Sequence, residues 1–178
     1  MILKPLPFIA FLVVLLAFSS CKKSGGGVTP ISEKPFQFTA NGSSVSYANC
    51  FYTEPFANAN FEVLIMATNT LDTKTSSSFI LNFQIILLTD AGGPQVGKTY
   101  PVAAIPDQAG TAKLYYTPDG VKNFQTQYAN AQGAVTITSI SSKAIGGTFS
   151  GKLFADGDTN GQTVLYTITD GSFNAAAD

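Results

Sequence analysis

The sequence predicts an all-β fold on three observations. From Phe36 onward Thr, Ser, Val, Ile, Phe and Tyr dominate, turn residues recur at short intervals, and no segment sustains a 3.6-residue period. Eight or nine short strands at that spacing fit an antiparallel β-sandwich, with a partly closed β-barrel as the alternative. The chain has 178 residues, and the strand-forming part, 36–178, is of a size that one hydrophobic core supports without a metal or disulfide.

Phe36–Ala40 and Ser44–Tyr52 flank Asn41-Gly42, a pair that accepts positive φ in a type I′ turn and so predicts a first hairpin. Phe61–Asn69 and Phe79–Leu88 follow. In the second of these Phe79, Leu81, Phe83, Ile85 and Leu87 share one face while Ile80, Ile86 and Leu88 share the other, the pattern of a central strand buried on both sides. Ala91-Gly92-Gly93-Pro94 and Gly97 interrupt the pattern. Tyr100–Ala104 and Ala112–Thr117 read as the next strands, the latter closed by Pro118-Asp119-Gly120. Gly133–Ser141, Ala144–Ala155 and Thr163–Thr169 complete a meander in which Val135/Ile137, Phe149/Leu153 and Val164/Tyr166/Ile168 alternate with polar residues, so one face is expected to be wet.

The N-terminus has a different character. Lys4 precedes an unbroken apolar run from Phe8 to Phe18, which as a helix would cover about 16 Å, roughly half the hydrocarbon thickness of a bilayer. Too short to span, it fits a signal peptide over 1–20, with the small residues Ser19 and Ser20 at the cut. Phe18-Ser19-Ser20-Cys21 resembles the lipobox of bacterial lipoproteins, with Phe18 where an aliphatic residue is usual. The resemblance implies that Cys21 is lipidated and becomes the mature N-terminus, a membrane attachment that several acyl chains make effectively permanent. Residues 21–35, with Lys22-Lys23-Ser24-Gly25-Gly26-Gly27 and then a polar stretch containing Pro30, read as a tether that holds the domain on the order of 20 Å from the lipid. Acidic residues just after the cysteine, which favour surface export in similar lipoproteins, are replaced here by two lysines. The expected address is therefore the periplasmic face of the outer membrane.

Three segments of the C-terminal third resemble small lipoproteins of the Bacteroidota type whose function is unknown: Gly133-Ala134-Val135-Thr136-Ile137-Thr138, Ile145-Gly146-Gly147-Thr148-Phe149-Ser150-Gly151 and Ile168-Thr169-Asp170-Gly171-Ser172-Phe173-Asn174. The resemblance implies fold and address and carries over no activity.

Composition removes several function classes. Charged residues are 12% of the chain and the formal net charge is −1, so the basic stripe that neutralises nucleic-acid phosphates is missing. All ten basic residues are Lys, without the forked guanidinium that reads anions in two-point fashion. With no His, Ser-His-Asp and Cys-His catalysis and His-ligated zinc are excluded. A non-enzymatic envelope module is therefore expected, taking a glycan or a protein; the alternatives are a carboxylate-based hydrolase and a calcium-dependent adhesion module.

Candidate ligand-binding residues are Tyr115, Tyr116, Phe124 and Tyr128, aromatics gathered in a polar stretch. Neighbouring strand residues point to opposite faces, so one of Tyr115 and Tyr116 is expected to be exposed and able to stack on a sugar or anchor a partner. Asp156, Asp158 and Asn160 match the opening of a calcium loop, D-x-[DN]-x-[DN]-G, with Gly161 at the sharp turn. Thr167 stands where the bidentate Glu belongs and three oxygens fall short of the six to eight that calcium takes, so a polar hairpin turn is the competing reading. Cys50, the one thiol left once Cys21 is acylated, reads as a small buried hydrophobe.

Overall fold

The computed structural model describes residues 34–53, 62–69, 81–103, 108–126, 130–158 and 160–178. The residues expected to form the signal peptide, Cys21, most of those expected to form the tether, and Tyr128 lie outside them. The described residues form eleven strands and no helix: β1 (Phe36–Ala40), β2 (Ser43–Tyr47), β3 (Asn49–Thr53), β4 (Glu62–Thr68), β5 (Phe83–Leu88), β6 (Thr99–Pro101), β7 (Thr111–Tyr116), β8 (Phe124–Gln125), β9 (Gly133–Ile140), β10 (Ala144–Ala155) and β11 (Val164–Ala177).

All belong to one sheet, in the order β2-β1-β11-β3-β4-β5-β7-β8-β10-β9-β6, with β10 also paired along β11. The count is higher than the eight or nine expected, for local reasons. The run Ser44–Tyr52 divides at Ala48, whose N–H donates to the Asn69 side chain at 3.0 Å, so that β2 pairs with β1 while β3 turns to β4. β8 has only two residues and leaves no periodicity to read. The sheet is mixed, which corrects the all-antiparallel expectation: Ala176 and Ala177 of β11 run parallel to Phe51 and Tyr52 of β3. Nothing in strand periodicity encodes direction.

The sheet folds over so that β1 and β10 face β5 and β7. Phe83 of β5 meets Phe36, Phe38 and Phe149 with ring centroids 5.1, 4.9 and 5.1 Å apart, and Phe38 meets Tyr116 edge-on at 5.3 Å. None of these pairs shares a ladder, so the rings join two layers. Each such pair stabilises by about 0.5–1.5 kcal/mol beyond simple burial. Phe83, Ile85 and Leu87 are fully buried on the inner side of β5, which lies between β4 and β7 as its two-sided apolar pattern predicts. In the C-terminal meander Val135, Ile137, Leu153 and Ile168 point inward as expected. Val164 does not; it is 41% exposed, because the register shifts between Leu153 and Phe154, where one residue of β10 answers to two of β11.

Local signals explain the rest of the frame. Asn41 and Gly42 take φ of 48° and 83°, as a type I′ turn requires. The Asn41 side chain then prolongs the β1–β11 ladder: its Nδ2 donates to the Leu165 carbonyl at 2.8 Å and its Oδ1 accepts from the Thr167 N–H at 2.8 Å. On β11, both ladders skip a residue around Thr169-Asp170, with Asp170 at φ 53°. This bulge is what Ile168-Thr169-Asp170-Gly171 encodes.

Candidate functional site

Register alone assembles the principal site. Ala144 of β10 lies opposite Ala176 of β11, Ala176 lies beside Phe51 of β3, and Phe51 lies opposite Met66 of β4. Directly paired residues share a face, so two alanines and two large apolar side chains form a row across four strands. The step from small to large opens a groove of about 830 Å³, within the range of small-molecule sites, against which Pro35, Cys50 and Leu81 also pack. Asn49, Asn174, Lys143 and Asp178 are the polar residues among the described ones that line it.

Backbone bonds fix both sides of the groove. Asn174 N–H donates to the Pro35 carbonyl at 2.7 Å, Ala177 N–H to the Lys143 carbonyl at 2.9 Å, and Asp178 N–H to the Tyr52 carbonyl at 3.2 Å. Cys50 is 7% exposed, and burial pushes its thiol up to about 12, so it stays protonated and serves as apolar wall. Among the described residues no buried side-chain nitrogen or oxygen lacks a partner, so the wall presents no orphan polar group to a ligand.

The aromatic stretch forms a different feature. Tyr116 is buried at 5% exposure, packed edge-on against Tyr166 at 5.1 Å, and Phe124 meets the same Tyr166 at 4.8 Å. Burial raises the Tyr116 hydroxyl above the ordinary phenol range and, with Tyr116 beside it, raises Tyr47 further. Tyr115 is half-buried on the opposite face of β7, as strand alternation predicts. The structure thus brings Tyr116 and Phe124 together through Tyr166, which the sequence reading placed only in the meander, and sets Tyr115 apart. Val121, 83% exposed, stands at the β7–β8 turn nearby in sequence.

The acidic loop is the β10–β11 turn. Asp156 Oδ1 accepts from Gln125 Nε2 at 2.8 Å. Asp158 accepts from the Gln162 N–H at 3.3 Å and the Thr163 N–H at 3.0 Å, bonds that hold its carboxyl below the usual range, Thr163 foremost. Asn160 contributes its backbone carbonyl, to Asn130 and Gln162. The side-chain oxygens of Asp156 and Asp158 are turned to protein donors on different strands and segments, and no group of three or more acidic, Cys or His side chains converges among the described residues.

A smaller depression of about 340 Å³ lies over β9, β10 and β11, where Thr136, Thr148, Ser150 and Ser172 present hydroxyls around Asp170. Its polar residues fall within the segments 133–138, 145–151 and 168–174. Neither it nor the groove was singled out in the sequence. Both depend on pairing between strands far apart in the chain, and the groove depends on a parallel contact only two residues long.

No family model, no curated protein and no solved structure matches this chain. The class of protein is therefore set by its own architecture, an all-β sheet folded into two facing layers.

Proposed function

We propose that the chain is a lipoprotein anchored through Cys21 at the periplasmic face of the outer membrane, that its β domain is a non-enzymatic binding module, and that the groove between Phe51 and Ala144 is its ligand site. The observation that carries the reading is the apolar row Ala144, Ala176, Phe51 and Met66, a concave surface of ligand size with a protonated thiol beside it and, among the described residues, Asp178 as its acidic lining residue. An apolar surface of this kind favours binding over hydrolysis, which needs two carboxyls across one bond.

The test uses the mature acylated protein and the fluorescent apolar probe N-phenylnaphthylamine. The wild-type protein is expected to enhance its emission, and Ala176→Trp, which fills the groove from an exposed position, is expected to remove that enhancement. Equal emission from both proteins would eliminate the groove. Metabolic labelling with an alkynyl fatty acid tests the anchor: label on the wild type and none on Cys21→Ser is expected.

The hydroxyl-lined depression around Asp170 supports a second reading, a glycan site, because four hydroxyls and a carboxylate match sugar hydroxyls better than the groove does. Retention on an immobilised glycan that Asp170→Ala abolishes would favour it over the groove.

A further inference from the structure

Resting on the groove as the ligand site, we infer that its occupant is one acyl chain of a membrane phospholipid, taken from the leaflet to which the protein is tethered. The wall chemistry selects a chain that asks for no hydrogen bonds. Phe51, Met66, Ala144 and Ala176 offer no donors and, beyond the weakly accepting Met66 thioether, no acceptors in their side chains, and no buried side-chain polar atom among the described residues is left unpaired. A peptide laid in the same place would bring N–H and C=O groups that each need a partner, and a sugar would bring a hydroxyl at nearly every carbon. A saturated chain brings neither.

The polar lining supplies the second argument. Lys143 and Asp178 put a cation and an anionic residue beside a mostly apolar trough, and Asn49 and Asn174 add neutral polar groups. A zwitterionic headgroup presents a phosphate to the first and an ammonium to the second, whereas a free fatty acid would pair with Lys143 and bring no cation for Asp178.

Position supplies the third. The chain enters the domain at Pro35, which lines the groove and whose carbonyl is bonded to Asn174. The composition of residues 21–35, read as a tether, would give by chain statistics a reach of roughly 20 Å, less than the hydrocarbon thickness of about 30 Å. A groove fastened to the lipid surface by so short a leash meets phospholipid at high effective concentration.

The experiment reconstitutes the mature acylated protein in vesicles of phosphatidylethanolamine and phosphatidylglycerol that carry a phospholipid with a photoreactive diazirine near the end of one tail. After illumination, adducts are mapped by mass spectrometry. The expected result is labelling at Phe51, Met66 or Ala176, reduced roughly tenfold or more by Ala176→Trp and by Ala144→Trp and unchanged by Val121→Trp at the distant turn. Adducts confined to residues beside Cys21, or labelling of the groove that none of the variants changes, would overturn the inference. Should both groove variants fail to fold, the wild-type map decides: adducts on the groove residues support the inference and adducts elsewhere overturn it. Loss of tail labelling with N-phenylnaphthylamine binding intact would sink the phospholipid and leave the groove as a site; loss of both would sink the two together.

Discussion

The ring of Phe173 lies across Gly147, its directly opposed partner on β10: a Cβ on Gly147 would fall 2.5 Å from Phe173 Cζ. Two residues along, the same relationship is reversed, with Phe149 opposite Gly171 and its ring atoms 2.7 Å from where a Cβ would stand. The triplets Gly147-Thr148-Phe149 and Gly171-Ser172-Phe173 thus pair antiparallel, each covering the other's glycine with an aromatic ring. Gly147→Ala and Gly171→Ala are each expected to destabilise by roughly 1–3 kcal/mol, since the added methyl also meets the Thr136 or Phe149 carbonyl at 2.5 Å. Phe173→Ala, which empties a buried site, should cost about 3–5 kcal/mol in urea unfolding. A Gly147→Ala/Phe173→Leu double variant is expected to recover only part of the loss, because shortening Phe173 leaves the Thr136 carbonyl in place.

Asn41 holds a left-handed turn and two ladder-like side-chain bonds at once. Asn41→Gly keeps the turn and removes the bonds, an expected loss of about 1 kcal/mol. Asn41→Ala adds the left-handed cost of roughly 1–2 kcal/mol. Equal unfolding midpoints for the two variants would show that the side-chain bonds alone matter.

Acid unfolding should begin at the turns. Asp158 and Asp119 are held below the unfolded Asp value of about 3.9, the first chiefly by the Thr163 N–H and the second chiefly by the Lys122 N–H. Their contribution is complete above that value and is lost as pH falls through the lower folded-state values. Asp158→Asn, which cannot titrate, is expected to lower the melting temperature at neutral pH and to flatten the acid limb of the profile below about pH 4, so that variant and wild type converge in acid.

Calcium offers a separate check on the same turn. With Asp158 bonded to Gln162 and Thr163 and Asp156 to Gln125, the melting temperature is expected to be the same in calcium and in chelator. A rise with calcium would mean that these carboxylates give up their protein donors for the ion.

Cys50 should resist thiol reagents at pH 8 in the folded mature protein and react once denatured. Its folded value, raised to about 12 by burial, lies above the unfolded value of about 8.5. The stabilisation that follows is complete below the unfolded value and declines as pH rises toward the folded one. Rapid labelling of the native protein would place the thiol at the surface.

Much of the frame was legible where burial alternates with strict period. Phe36–Ala40 and Ala144–Ala155 were read to the residue, and the two-sided pattern ending in Leu88 located the central strand. The extension of β11 to Ala177 was hidden because the bulge at Asp170 shifts the alternation by one residue, so the two halves do not read as one strand. The candidate sites divide along the same line. The acidic turn was readable as turn chemistry because Asp, Asn and Gly act on their own neighbours. The groove was not, because Ala144, Ala176, Phe51 and Met66 are apolar residues of no distinction until pairing sets them side by side.

The entry of the chain at Pro35 has a mechanical consequence. β1 begins one residue later and is laddered on both sides, to β2 and to β11. A pull on the chain at Pro35 directed along the axis of β1 would load both rows of bonds together in shear, where peeling would break them singly. The first strand of the sheet is thus held at a point that resists being drawn out.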